Sequence, residues 1–158
     1  MEHARQEVLR YFNASPREYA AIFTANATGA LKLVGESYPF SEGSRFLLTV
    51  DNHNSVNGIR EFAAARGAGI AYAPLTTPEL RINLEPLETM LDARVPARAN
   101  LFAYPAQSNF SGVKHPLELI DAAHSKGWDV LLDAAAFVPT SRLDLGAVHP
   151  DFVAVSFY

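Results

Sequence analysis

The stretch GWDVLLDAAA, residues 127–136, contains the pattern that decides the fold. Residues 128–132 form a short, mostly apolar run after a glycine, which predicts a buried strand. Asp133 follows the run directly, and three alanines come after it. A carboxylate in such surroundings is poorly solvated unless a cation or a protonated group meets it. The stretch therefore predicts a strand whose carboxyl end presents a functional acidic residue, with a helix cap as the alternative.

The succession of apolar strand and helix repeats along the chain. Besides 128–132, apolar runs predict strands at 19–24, 45–50, 69–73, 100–104 and 152–155. The spacing of apolar residues, with glycine stop signals, predicts helices at 3–12, 29–37, 55–66, 85–93 and 116–126. This alternation is typical of an α/β fold in three layers, with a mostly parallel sheet covered on both faces. A chain of 158 residues can form one such domain, 1–158, with a real core.

Composition and charge disfavour several classes of function for this chain. The net charge is −4, and Lys and Arg do not cluster, so neither a nucleic-acid partner nor a membrane surface is expected. The amino-terminal stretch lacks the apolar core of a signal peptide, and no apolar run is long enough to cross a bilayer. A soluble cytoplasmic protein is expected. The absence of cysteine excludes disulfides and thiolate ligands within these residues, and no paired-histidine spacing predicts a metal site.

Polar residues collect where the predicted strands end, which is where open parallel sheets bind ligands. After the strand predicted at 19–24, the small-residue turn 25–28 leads into a helix. Free amides and the helix dipole would bind an anion or a phosphate there, with the Thr28 hydroxyl as a further donor. An ordinary threonine or asparagine helix cap is the alternative.

His53 follows the strand predicted at 45–50, within the segment DNHNS, residues 51–55. It could act as a general base, as a metal ligand, or as a flat surface on which an aromatic ring stacks. Alternatively, Asp51 or Asn54 caps the next helix and His53 merely lies nearby.

Two further strand ends carry uncharged polar side chains. The segment YPAQSNFSG, residues 104–112, supplies neutral donors and acceptors, among them Asn109, that could orient a hydroxyl or a carbonyl group. A polar surface loop is the alternative. The last strand ends in Ser156-Phe-Tyr158, where two hydroxyls at alternate positions share one face of the strand.

Together these strand ends offer what a phosphorylated pyridine such as pyridoxal 5′-phosphate needs: an anion site, a stacking ring, a neutral polar loop and a carboxylate for the ring nitrogen. Four phrases carry a closer match: VDNHNSVNGIRE (50–61), FAYPAQSNFSGVKHPL (102–117), LLDAAAFVPTSRLDL (131–145) and PDFVAVSFY (150–158). With these phrases the chain resembles the class V aminotransferase family of fold-type I pyridoxal-phosphate enzymes. The resemblance is greatest to the cysteine-desulfurase-like, N-terminal domain of molybdenum cofactor sulfurases.

The resemblance implies roles for individual residues. Ala27, Thr28 and Ser156 would hold the cofactor phosphate. His53 would stack on the pyridine ring. Asp133 would pair with the ring nitrogen, so that His53 and Asp133 are the expected catalytic residues.

Three other positions bear on the cofactor site. Asn109 would lie near the phenolic oxygen of the cofactor. Ala136 falls where desulfurase relatives often carry a glutamine for that oxygen, so Asn109 would carry more of the contact. Tyr158 stands where many relatives carry a histidine, and it is expected among the cofactor-binding residues.

The resemblance also implies that the chain is the N-terminal portion of the large domain of a longer enzyme. In the family, the lysine that binds the cofactor covalently follows the position of Tyr158 directly. That lysine segment and the C-terminal small domain are expected to be absent, and the chain alone is expected to be inactive. The intact enzyme would be a homodimeric transferase of the cysteine desulfurase type. It would mobilise sulfur from L-cysteine for an acceptor such as the molybdenum cofactor.

Other functions remain open at this point. A selenocysteine lyase, an aminotransferase or an epimerase of the same class would use the same residues, and a truncated chain could serve as a non-catalytic binding or dimerisation module. A dinucleotide-dependent oxidoreductase is disfavoured because no GxGxxG follows the first predicted strand. A serine hydrolase is disfavoured because GxSxG is absent.

Overall fold

A five-stranded parallel sheet forms the centre of the protein in a computed structural model that describes residues 1–157. The strands are β1 (Arg45–Thr49), β2 (Gly69–Ala73), β3 (Asn100–Pro105), β4 (Asp129–Asp133) and β5 (Phe152–Ala154). The helices are α1 (Glu2–Tyr11), α2 (Ala27–Ser37), α3 (Asn54–Asn57), α4 (Ile59–Ala65), α5 (Leu84–Asp92) and α6 (Leu119–Ser125). The strand order is β2-β1-β3-β4-β5, and each neighbouring pair is parallel. The predicted α/β fold with a parallel sheet is confirmed.

The central strands β1, β3 and β4 are buried on both faces, which explains why they read as nearly continuous apolar runs. All six residues of β3 are buried, and successive side chains of β3 alternate between two core clusters. Leu101 and Ala103 pack with Leu31 of α2 and Ile59 of α4 on one face. On the other face, Phe102 and Tyr104 stack with ring centroids 5.1 Å apart, within the cluster to which α5 and α6 contribute. The three layers are therefore helix, sheet and helix.

Three predicted elements differ from the structure. The strand predicted at 19–24 is wrong, because this segment is irregular and pairs with no strand of the sheet. Ile22 and Phe23 are 65% and 46% exposed, so their apolar character does not reflect burial. The helix predicted at 55–66 is divided at Gly58 into α3 and α4, and the helix predicted from residue 116 begins only at Leu119.

The contact between α2 and α4 depends on a glycine. A Cβ atom at Gly35 would lie 2.9 Å from Phe62 Cδ2 and 3.2 Å from Ile59 Cγ1. At Gly58, by contrast, the nearest atom to an added Cβ is the Ser55 carbonyl oxygen at 3.5 Å, an ordinary contact. Alanine is therefore expected to fit at Gly58 and to be overpacked at Gly35.

We expect Gly35→Ala to lower the free energy of unfolding by about 1 kcal/mol. Overpacking destabilises the fold by roughly 1–3 kcal/mol, and the higher helix propensity of alanine offsets about 1 kcal/mol of this. The matched variant Gly58→Ala should be neutral or slightly stabilising. Urea unfolding monitored by the fluorescence of Trp128, the single tryptophan, measures both, since this side chain is only 2% exposed. Equal effects of the two substitutions would show that the helices relax around the added methyl group.

The register of the sheet brings the carboxyl ends of its central strands to one edge. Pro105 at the end of β3 pairs with Asp133 at the end of β4, and Asp133 pairs in turn with Ala154 at the end of β5. The loops that follow β1, β3, β4 and β5 therefore meet at one edge of the sheet, where the sequence places its polar residues.

Candidate functional site

Asp133 is the last residue of β4 and is only 6% exposed. Its Oδ1 accepts a hydrogen bond from the Ala135 amide at 3.1 Å. Burial raises the pKa of Asp133, while this hydrogen bond and electrostatic attraction to His53 lower it in part. The alternative of a helix cap does not describe the site, because residues 135–140 form turns rather than a helix. Asp133 is thus a buried carboxylate whose ionised form would be stabilised by a cationic or protonated partner.

His53 is the N-cap residue of α3 and is exposed. Its Nδ1 accepts a hydrogen bond from the Ser55 amide at 3.2 Å, so His53, and not Asp51 or Asn54, caps this helix. Capping engages one edge of the imidazole, and stacking would use a face of the ring. The two roles are therefore compatible in one side chain.

A hydroxyl links His53 to the start of α2. The Ser55 Oγ atom lies 3.0 Å from His53 Nδ1 and 2.7 Å from Thr28 Oγ1. Asn26 caps α2 by accepting a hydrogen bond from the Gly29 amide at 2.8 Å. Ala27 and Thr28 lie in the first turn, whose amides have no intrahelical acceptor. The sequence interpretation missed the contribution of Ser55, for which the only signal is its position two residues after His53.

Asn109 lies on a tight loop between β3 and α6. Backbone hydrogen bonds from Ser108 to Val113 and from His115 to Ala106 close this loop, and Asn109 is exposed at its turn. A cavity of about 470 Å³ separates the loop from the segment after β1. Its lining residues are Val50, Asp51, Asn52, His53, Asn54, Leu75, Leu80, Asn109, Phe110 and Ser111. The fold therefore brings the predicted residues His53 and Asn109 to one cavity.

Four predicted residues, Ala27, Thr28, Asp133 and Ser156, do not line the cavity. Ser156 is partly buried, two residues after β5, and α2 packs against β5. Ala27 begins α2. Tyr158 lies outside the described residues.

Sequence reasoning also missed a buried pair in the wall of the cavity, where Asp51 is a lining residue. The Nε2 atom of His115 lies 2.8 Å from Oδ2 of Asp51, and the two side chains are 0% and 3% exposed. Burial alone would raise the pKa of Asp51, but the hydrogen bond with His115 and the polar side chains of Thr49 and Ser108 together hold it below its ordinary value. Asp51 is thus ionised at neutral pH. No local pattern could have paired two residues that lie 64 positions apart.

Residues 1–157 contain neither a membrane-spanning helix nor a cluster of metal-binding side chains. No helix in this range is long and apolar enough to span a bilayer. Within the same range, no group of three histidine or acidic side chains converges in a way that could hold a metal ion.

Comparison with known proteins places the chain in a family. The family model of aminotransferase class-V matches residues 1–157. The molybdenum cofactor sulfurase of Arabidopsis thaliana is 37% identical over 187 residues, which cover 98% of this chain and 23% of that protein. The molybdenum cofactor sulfurase of Homo sapiens is 40% identical over 175 residues, which cover 100% of this chain and 19% of that protein. The chain thus spans about a fifth of the length of these relatives.

A solved structure shows the same fold. The apo structure of a cysteine desulfurase from Thermococcus onnurineus is similar to this chain with a TM-score of 0.86 at 25% sequence identity. The similarity covers 98% of this chain and 38% of that protein. The match of the family model over residues 1–157 agrees with the fold and with the resemblance of the four sequence phrases. The chain belongs to the aminotransferase class-V family.

Proposed function

We propose that this chain binds pyridoxal 5′-phosphate and forms the N-terminal portion, 1–158, of the cofactor-binding large domain of a sulfurtransferase. The observation that supports this most strongly is the buried carboxylate of Asp133, whose pKa is raised and which interacts electrostatically with His53. No ion pair to Asp133 forms among residues 1–157, and a protonated pyridine nitrogen is a partner that would stabilise its ionised form.

The donor groups of the site fit a phosphorylated pyridine. The first-turn amides at Ala27 and Thr28 suit a phosphate, because a helix N-terminus attracts anions. Ser156 would add a hydroxyl to the phosphate site. When bound, the cofactor supplies an electron sink for bond cleavage next to an amino group.

The side chains of the chain would position that group and hold its protons. Asp133 would accept a hydrogen bond from the ring nitrogen and so keep this nitrogen protonated. His53, fixed by Ser55 at one edge of its imidazole, would present a ring face for stacking. Asn109, across the cavity from His53, would donate to the phenolic oxygen. Tyr158 is proposed as a further cofactor contact.

The substrate and the acceptor are proposals for the whole protein. The names of the relatives support L-cysteine as the sulfur donor and the molybdenum cofactor as the acceptor. A cytoplasmic homodimer is proposed for the intact enzyme. The chain by itself is predicted to lack desulfurase activity, because none of its residues is a cysteine that could accept sulfur.

Pyridoxamine 5′-phosphate tests the proposed cofactor site directly, because it has no aldehyde and its binding needs no lysine. We expect saturable binding by this chain, measured by ligand fluorescence, and weaker binding of pyridoxamine without the phosphate. Thr28→Val should lower the affinity for pyridoxamine 5′-phosphate roughly tenfold, since it removes a hydrogen bond to a charged group.

The control is Thr89→Val on α5, where the threonine hydroxyl donates to the Glu85 carbonyl oxygen far from the site. This variant should bind like the unmodified chain. Absence of saturable binding, or equal affinity for the ligands with and without phosphate, would contradict the proposed function.

A further inference from the structure

We infer that the buried Asp51–His115 pair is a positioning device that holds two loops in register, so that His53 and Asn109 face one cavity. This inference rests on the proposed cofactor site and adds two positioning residues to it. Neither residue of the pair is assigned a contact with the cofactor.

The pair joins the two loops that carry the proposed ligand contacts. Asp51 lies two residues after β1 and two residues before His53. His115 closes the loop that carries Asn109, through the hydrogen bond from its amide to the Ala106 carbonyl oxygen. The 2.8 Å contact between the two side chains therefore links the segment after β1 to the loop after β3.

Asn52 provides a second tie between the same elements. Its Nδ2 donates to the Thr49 carbonyl oxygen, to Thr49 Oγ1 and to the Ala103 carbonyl oxygen, each at 3.0 Å. The last of these bonds fixes the segment after β1 to strand β3. His53 therefore follows two residues that are both buried and both tied to β3 or to the loop after it.

The pair is a poor device for stabilising the fold. Within residues 1–157, His115 Nδ1 is buried without a hydrogen-bond partner. Such an atom carries an uncompensated desolvation penalty, and apolar residues of similar volume often match or exceed the stability that a buried ion pair gives. The hydrogen bond of the pair instead fixes the segment after β1 relative to the loop after β3. Apolar packing does not impose such a directional contact. The observations therefore favour positioning over stabilisation as its role.

Hydrogen exchange of backbone amides tests the link without any cofactor. The double substitution Asp51→Ala/His115→Leu removes it without leaving a buried charge unpaired, and Asp51→Asn weakens it by removing the charge. We expect amides in 52–55 and 108–112 to exchange about tenfold faster in the double variant, with a smaller effect in Asp51→Asn. Amides of β2 and β4 should keep their exchange rates. The matched control is His124→Leu, because His124 and Asp151 form another 2.8 Å pair that is partly exposed and remote from the cavity.

Binding of pyridoxamine 5′-phosphate tests whether the link serves the site. Asp51→Asn should lower the affinity about fivefold in the unmodified chain and should have no effect in a His53→Ala/Asn109→Ala background, because the pair then has neither side chain to position. Unchanged exchange in both loops, or a uniform increase over the whole sheet, would overturn the inference. Loops that loosen without a change in affinity would also overturn it. If the unmodified chain fails to bind while the loops respond together, the proposed function fails and the link between the loops stands.

Discussion

Asp133→Asn is expected to abolish most binding of pyridoxamine 5′-phosphate and, in the same protein, to raise the free energy of unfolding of the ligand-free chain at pH 7. The affinity should fall roughly 10- to 100-fold, because a hydrogen bond between a carboxylate and a protonated nitrogen contributes about 1.5–3 kcal/mol. The gain in stability should be about 1 kcal/mol, as is common when a strained functional residue is replaced.

The gain in stability follows from the sign of the pKa shift. Burial raises the folded-state pKa of Asp133 above its unfolded value, so the ionised carboxylate disfavours folding at neutral pH. As the pH falls through the folded-state pKa, Asp133 takes up a proton and the penalty disappears. Asparagine is neutral at every pH and can still accept the Ala135 hydrogen bond through its side-chain oxygen. The stability difference between the variant and the unmodified chain should therefore shrink as the pH is lowered.

Urea unfolding at pH 7 and at pH 5, followed by Trp128 fluorescence, measures this difference. The control is Asp121→Asn, because Asp121 is exposed on α6 and away from the strand ends. It should change neither stability nor ligand affinity. An Asp133→Asn protein that binds the ligand normally would remove Asp133 from its proposed role. One that is less stable than the unmodified chain would show that the carboxylate supports the fold.

Most of the fold could be predicted because strands buried on both faces are apolar over most of their length. β1 and β3 belong to this class, and their predicted limits are correct to within one residue. The segment 19–24 has a similar composition but no strand to pair with, and local composition cannot reveal whether a partner exists. Its Tyr19 hydroxyl instead donates to the Pro150 carbonyl oxygen, a contact between residues 131 positions apart.

The residues of the candidate site could be predicted only where they directly follow a predicted strand. Asp133 was recognisable because a carboxylate next to a buried strand and three alanines is unusual, and its burial confirms that environment. The environment of His53 could not be predicted as well, because its link through Ser55 ends at Thr28, which lies on another helix 27 positions before that serine. The Asp51–His115 pair was not predictable, since its two residues come together only when β1 and β3 are placed side by side.

His115→Leu is expected to lower the free energy of unfolding by about 3–5 kcal/mol at pH 7, the usual cost of leaving one partner of a buried pair unpaired. The cause is the carboxylate of Asp51, which is 3% exposed and would lose the histidine that lies 2.8 Å from it. Urea unfolding of this variant and of the double variant Asp51→Ala/His115→Leu separates the cost of the stranded charge from the cost of altered packing. The double variant should recover most of the lost stability, because it removes the stranded charge and roughly conserves the buried volume.

The pH dependence of the stability difference distinguishes a stranded carboxylate from lost packing. A loss of packing alone would not change with pH. In the unmodified chain the pKa of Asp51 is lowered, so its contribution is present above the unfolded pKa of about 3.9 and is lost as the pH falls through the folded-state value. In His115→Leu, Asp51 loses the hydrogen bond and the electrostatic attraction by which His115 lowers its pKa, so Asp51 takes up a proton at a higher pH than in the unmodified chain. Acidification from pH 7 towards pH 4 should then narrow the gap between the variant and the unmodified chain. A gap that stays constant over this range, together with a double variant no more stable than His115→Leu, would mean that lost packing and not a stranded carboxylate causes the destabilisation.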